Sequence, residues 1–411
     1  MGSHQLLITA LDIGTTNIRV LIGRAQQENG VRIIGAATKP SEGVRKSVII
    51  NSDEVTKIAR ATVEAAEQDA KTQVDKLYVS ISGSHIQSSS TGAVLNILDG
   101  DETVRDKHIS ELLEKAKNNA VEKGRKFLHV IPQEYRLDGH SGLLNPEGLK
   151  ASRVEASMHA ITADATMLEN HARVVNDAGF YVNDICASII ADGYCILSEQ
   201  EKKDGVLLVD IGGGTTSYAV YFNNTVYYSN VFSVGGDHVT NDLALGLHLT
   251  TSEAEELKKN YSQMALKDSD HKVIKMKTHE QKTKSISRQD VEMIIDSRIE
   301  ELLRFIYEDV EQRQFRPLLA RGIVLVGGTT YLYRFVERVG KVFSMPIRIG
   351  VPKILSPEDR AHDIDVYTDQ HDFLRDTRYT TVIGLLKYGA RQQYSSSKKQ
   401  GGILRKLFSL S

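Results

Sequence analysis

Two cysteines in 411 residues, Cys186 and Cys195, are too few for a disulfide framework, and their apolar surroundings argue against a metal site. Two buried thiols in a reducing cytoplasm are the expectation. No apolar run approaches the ~18 residues that cross a bilayer, so no spanning helix is expected, and nothing reads as a signal peptide. Neither sign of charge dominates: Lys and Arg number 51 against 53 Asp and Glu, a formal net charge of −2. Nothing in that balance calls for a nucleic-acid partner. The lysine-rich stretch 267–284 has no Phe, Tyr or Trp to stack a base and reads as a solvated hairpin. With 41% hydrophobic and 25% charged residues the chain is globular, and long enough for two domains. Met1–His4 (MGSH) is set aside as a cloning scar.

What is present is organised around Val206–Tyr218, VLLVDIGGGTTSY. A buried strand ends in Asp210, and Gly212, Gly213 and Gly214 then permit a tight reversal. Thr215, Thr216 and Ser217 lead into a second strand-like run, Tyr218–Phe222. The turn of such a hairpin offers backbone N–H groups and hydroxyls to an anion. It is not a Walker A loop, which needs GxxxxGK[ST] before a helix, nor a GxGxxG dinucleotide turn. The device recurs at Leu6–Val20, where Asp12, Ile13, Gly14, Thr15, Thr16 and Asn17 separate two apolar strands. The two D-I-G copies stand 198 residues apart, which suggests two related half-domains facing one ligand. Either Asp alone reads as a turn-starting residue bonding its own backbone. The matched pair, Asp12 and Asp210, reads as holding Mg²⁺ through water. Arg19, on the second strand of its hairpin, either reaches the phosphates or is an exposed strand arginine.

DIGTTNIR and VDIGGGTTSY resemble the two phosphate loops of the actin, heat-shock chaperone and sugar kinase superfamily, and Ile323–Leu332 (IVLVGGTTYL) resembles its adenosine loop. Within that superfamily HVIPQEY (His129–Tyr135), VSISGSHI (Val79–Ile86) and IGLLKYG (Ile383–Gly389) are similar to the FtsA family of bacterial cell-division proteins. The resemblance implies an α/β, actin-like duplicated two-domain fold with a small α+β insertion (1C) in the first domain and a C-terminal amphipathic helix. It implies ATP and Mg²⁺ as ligands, with Gly235 and Gly236 near the ribose, Gly327 and Gly328 at the adenine, and Glu255 and Lys258 contacting adenosine. Without the resemblance, Glu255 and Lys258 are an i,i+3 surface pair. It also implies polymerisation, and Arg288 and Arg298 as the site for the C-terminal peptide of FtsZ; a solvated helix face serves Arg288 as well. At one position where the family has Lys this chain has Asp290.

On this frame subdomain 1A spans 5–86 and 164–197, with 357–390 returning to it. Subdomain 1C is 87–163, 2A is 198–230 with 313–356, and 2B is 231–312. Ile185–Leu197 and Ile383–Ala390 read as two connecting helices crossing at the waist. The first has no carboxylate or amide at its start, where relatives position the attacking water, so hydrolysis is expected to be slow or negligible. Residues 363–377 read as a polar, acidic loop and 391–402 as a flexible linker. The tail 403–411 is amphipathic. At about 100° per residue, Ile403, Leu404, Leu407, Phe408 and Leu410 share an arc of roughly 160° flanked by Arg405 and Lys406. That is the pattern of a helix lying in an anionic membrane surface. The implied role is an ATP-binding scaffold that ties FtsZ filaments to the cytoplasmic face of the inner membrane at the septum, with other division proteins meeting subdomain 1C. Alternatives are a PilM-like pilus assembly scaffold, a small-molecule kinase of the same superfamily, and a chaperone. The kinase lacks a clearly placed general base, and the chaperone lacks a peptide-binding domain.

Overall fold

The computed structural model describes residues 6–399 apart from 26–29, 99, 121, 268–271, 278, 280, 355–364 and 369–370. The chain opens with β1 (Leu7–Ile13), β2 (Asn17–Ala25) and β3 (Gly30–Pro40), a small hairpin of β4 (Val44–Arg45) and β5 (Val48–Ile49), helix α1 (Ser52–Ala70) and β6 (Lys76–Ile81). Ile8, Ala10 and Leu11 are all buried, because β1 lies inside a sheet covered on both faces. The Asn51 side chain caps α1 by accepting the Glu54 N–H, and Val55, Ala59, Val63 and Ala66 form its buried stripe.

The insertion follows: β7 (Ile86–Asn96), α2 (Asp106–Ala120), β8 (Arg125–Leu137), β9 (His140–Leu143) and β10 (Arg153–Asp164). Its strands make a separate sheet in the order β7-β10-β8-β9. Ile109, Leu112 and Ala116 of α2 pack with Leu95, Tyr135 and Met158 in a small core of their own.

The chain returns through α3 (Ala165–Asp177), β11 (Tyr181–Ala187), α4 (Ser188–Ile196) and α5 (Glu199–Asp204). The single helix expected over 185–197 is therefore corrected. Ile185, Cys186 and Ala187 end a strand, and the helix starts at Ser188. A continuous apolar run carries no period to separate the two. Cys186 and Cys195 are buried free thiols.

The second half comprises β12 (Val206–Ile211), β13 (Thr216–Phe222), β14 (Thr225–Phe232), α6 (Gly236–Gly246), α7 (Thr251–Lys267), the hairpin β15 (Val273–Lys277) and β16 (Thr283–Ser287), α8 (Arg288–Gln312), β17 (Ile323–Val326), α9 (Phe335–Phe343) and β18 (Ile347–Ile349). The first sheet runs β11-β6-β1-β2-β3 and the second β18-β17-β12-β13-β14, in the same order and with matching directions. The repeated D-I-G strings thus mark a real duplication, with β1–β2 and β12–β13 as equivalent hairpins.

Two expectations for the C-terminal part are corrected. β19 (Asp365–Tyr367) adds to the first sheet parallel to β3 where a loop was read. Helix α10 (Thr380–Lys399) continues through most of the stretch read as a linker. Tyr394 holds it there, packing on the core and donating its hydroxyl to Gly30 O at 3.2 Å. The tail 403–411 lies outside the described residues. Among the described residues no helix is long and apolar enough to cross a membrane.

Helices α4 and α10 cross between the halves. A Cβ on Gly384 would lie 1.8 Å from Ala191 O, so the backbones touch. The halves also meet a second time, through the insertion. Gln133 Nε2 donates to Val226 O (3.2 Å) and Tyr227 O (2.8 Å), Thr225 Oγ1 donates to Pro132 O (2.9 Å), and Ser88 Oγ donates to Ser229 O. The insertion sheet is thereby bonded to β14.

Candidate functional site

The two hairpins face each other across a cavity of about 750 Å³. In each, the first N–H of a four-residue turn donates to the carbonyl of the last: Gly14 to Asn17 at 3.0 Å, Gly212 to Thr215 at 2.9 Å. Gly14, Thr15, Thr16, Asn17 and Arg19 line the cavity from one side. Gly212, Gly213, Gly214, Thr215, Gly236, Glu255, Lys258, Gly327 and Gly328 line it from the other.

The turns also touch. A Cβ on Gly213 would sit 2.3 Å from Thr16 Oγ1, and one on Gly214 2.6 Å from Thr15 Oγ1. The approach is possible only without side chains there. Gly327 has φ +91°, and a Cβ would meet Asp210 Oδ1 at 2.3 Å. Gly235 is not a wall of the cavity; it lets the start of α6 approach the Gly212 and Gly213 carbonyls, which accept the Gly236 and Asp237 N–H groups at 2.9 and 2.8 Å.

Thr216 departs from expectation. It is fully buried, and its hydroxyl donates to Val234 O at 2.7 Å. Alternation along β13 turns its side chain away from the cavity.

Asp12 and Asp210 stand at matching places, next to last on β1 and β12, and both open onto the cavity floor. Asp12 does not bond its own backbone: Ser80 Oγ donates to its Oδ1 at 2.7 Å, and Arg19 approaches Oδ2 at 3.5 Å. Burial, and then the charge of Asp12, push the Asp210 carboxyl up to about 7, with Arg19 opposing. Two carboxylates short of positive charge fit a dication that takes its remaining oxygens from water and phosphate. Among the described residues no group of three or more His, Cys, Asp or Glu could hold a metal directly. Arg19 is not an exposed strand residue. Its side chain is 13% exposed and its guanidinium lies 5.4 Å from the Tyr379 ring centroid.

Glu255 and Lys258 pair at 2.6 Å beneath the start of α6, where Lys258 also donates to Gly236 O (3.0 Å) and Thr240 Oγ1 (2.7 Å). Arg298 lies elsewhere, on α8 where that helix meets α6. Asp242 holds it through Nε (2.6 Å) and Nη2 (3.1 Å), and Glu301 takes Nη1. Arg288 contacts Glu292 at 3.4 Å and lies over the Tyr261 ring.

Several cavity residues escape sequence reasoning: Ser47, Ser82, Ser188, Tyr331, Arg378 and Thr381. They come from five stretches, Arg378 and Thr381 from the same one, and Ser82 and Tyr331 lie within strings that were read for the family and not for their own chemistry. Asp192 is not among the residues that line the cavity. It is fully buried one turn into α4, accepts from Thr381 Oγ1 at 2.9 Å, and leaves Oδ2 without a partner. Burial, and the charges of Asp210 and Asp12, hold its carboxyl well above the usual range. A lone Asp in an otherwise apolar helix was the available signal.

Residues 207–384 match the family model "Cell division protein FtsA", and residues 83–162 match "SHS2 domain inserted in FTSA". The chain is 30% identical to the cell division protein FtsA of Pseudomonas aeruginosa, over 98% of this chain and 96% of that protein. To the FtsA of Bacillus subtilis it is 29% identical, over 98% and 87%. Solved structures of similar fold include one from the PilM–PilN type IV pilus biogenesis complex (TM-score 0.68, 13% identity, 94% of this chain and 99% of that one). MreB5 of Spiroplasma citri bound to ADP is another (TM-score 0.52, 12% identity, 96% and 98%). At such identities these two speak for the actin-like fold alone. The near-complete span of the FtsA relatives, and a family model for the insertion itself, decide the assignment: the chain belongs to the FtsA family of cell division proteins.

Proposed function

We propose that this chain binds ATP with Mg²⁺ between its two halves, polymerises, and anchors FtsZ filaments to the cytoplasmic face of the inner membrane at the septum. The observation that carries the nucleotide reading is the pair of equivalent Asp-ended turns meeting across one cavity. The N–H groups and hydroxyls of Gly14–Asn17 and Gly212–Thr215 would hold the phosphates, and Asp12 and Asp210 the hydrated cation. Bound Mg²⁺ would supply charge to the phosphate oxygens. Gly327, Gly328, Glu255 and Lys258 would bound the nucleoside. Ser188 stands where α4 meets the cavity, and a hydroxyl activates water poorly, so slow turnover is part of the proposal.

The membrane reading rests on the tail sequence. One nine-residue helix is too short to be stable in water and would bind weakly; many tails on one filament would bind through effective concentration. With Mg-ATP and anionic vesicles, the wild type should float with lipid. Phe408→Glu should stay in solution while binding ATP unchanged. A Phe408→Glu protein that still floats would count against the tail as the anchor.

For the FtsZ peptide, Arg298 is the residue to test. Its carboxylate partners Asp242 and Glu301 orient it, and an acidic peptide would have to compete with them. Arg298→Glu should weaken FtsZ tail-peptide binding at least tenfold, measured by fluorescence anisotropy. Equal affinity in the two proteins would remove Arg298 from that site.

A further inference from the structure

The β4–β5 hairpin belongs to no glycine motif, yet its turn packs on both glycine turns, and Ser47, though not Lys46, lines the cavity between them. Val44 pairs with Ile49 and Arg45 with Val48, which leaves Lys46 and Ser47 as a two-residue turn. Both have positive φ, 50° and 59°. Such turns favour Asn-Gly, because residues with side chains are strained in that region. Two consecutive non-glycine residues persist there when surrounding contacts over-determine them.

The contacts here are with both phosphate turns. Ser47 N–H donates to Thr15 Oγ1 at 3.0 Å, and Ser47 Oγ shares a hydrogen bond with Thr215 Oγ1 at 3.1 Å. Gly214 is so close that a Cβ on it would lie 2.7 Å from Lys46 Cα and 2.9 Å from Lys46 N. Ser47 is buried and lines the cavity. The turn therefore sits on the seam where the first and second halves meet. Lys46 itself is exposed, and among the described residues no carboxylate pairs with it. Its charge is felt by His238 on α6.

We propose, on the basis of the ATP reading above, that the Lys46–Ser47 turn is a third phosphate-binding element that reads the terminal phosphate of a nucleoside triphosphate. The ammonium of Lys46, on its flexible stem, pairs with the terminal phosphate, and Ser47 fixes the turn to both halves at once. A diphosphate leaves Lys46 without its anion. ATP and ADP would then differ in affinity through this residue, and the difference would act at the joint between the halves. A charge-assisted contact of this kind is stronger than a neutral one.

The test uses the full chain with Mg²⁺ and competition of ATP or ADP against a fluorescent N-methylanthraniloyl-ADP probe. Lys46→Ala should lose about tenfold or more in ATP affinity and less than about threefold in ADP affinity, and Lys46→Arg should recover most of the ATP affinity. An unchanged ATP-to-ADP ratio in Lys46→Ala overturns the inference while leaving the ATP reading standing. Equal loss of both nucleotides also overturns it, since the turn would then be merely structural. A wild-type protein that binds neither nucleotide overturns the ATP reading and this inference together.

Discussion

Replacing Gly384 by alanine is expected to destabilise the protein by about 3 kcal/mol or more, the upper end for overpacking, and to abolish nucleotide binding. The added carbon would stand 1.8 Å from Ala191 O and 2.4 Å from Ala191 C. Both neighbours are backbone, so no rotamer change relieves the clash. One helix must move, and α10 carries Val382, Ile383, Leu385 and Leu386, all buried in the core between the halves. The same helix brings Thr380 and Thr381 to the cavity. Gly100→Ala is the matching control, since a Cβ there has nothing within 4 Å. Chemical denaturation of both variants checks the claim. Equal midpoints for Gly384→Ala and wild type would show that the waist yields easily.

Acid should open the molecule where the insertion joins the rest. Burial pushes His85, His129 and His159 each down to about 4. The ring of His129 is committed to its neutral form by accepting the Ala187 N–H at its Nε2, 3.0 Å away. His159 Nε2 meets Ser229 Oγ at 3.0 Å and its Nδ1 is buried without a partner. In the unfolded chain these histidines take up protons near 6.5, so the unfolded state binds more protons between about 6.5 and about 4. Stability is then fully present above 6.5 and is lost as pH falls through that window. For the buried His129 and His159 the loss is roughly 3 kcal/mol each, with less from the partly buried His85, a large share of an ordinary folding margin of about 5–15 kcal/mol. Thermal unfolding followed from pH 7.5 to pH 4.5 should show a steep loss. His129→Gln, whose amide oxygen can still accept from Ala187, should show a shallower one. The same slope in both proteins would exclude His129 as a contributor.

The duplication was legible because its chemistry recurs: Asp at a strand end followed by small turn residues is the same instruction at Asp12 and at Asp210. The solvated hairpin at β15–β16 was legible from polarity. The errors have physical causes. The boundary between β11 and α4 disappears in a run that is apolar on every side. β19 is three residues long and exists only because β3 offers it an edge. Helix α10 extends through polar residues because Tyr394 is tied to Gly30. Thr216 was grouped with its neighbours, but alternation along a strand sends adjacent side chains to opposite faces. Ser47, Arg378 and Thr381 could not be found by spacing, since only folding brings them to one place.

The bonds from Gln133, Thr225 and Ser88 between the insertion and β14 have a mechanical meaning. Two rigid plates joined at one pivot keep a free rotation. A second attachment away from the pivot converts that rotation into a displacement of whatever makes the attachment. With α4 and α10 as pivot, a change of angle between the sheets that preserves those bonds must swing the insertion about its roots at Gly83 and Asp164. The insertion is thus a lever arm geared to the cleft, and cutting it away also frees the pivot.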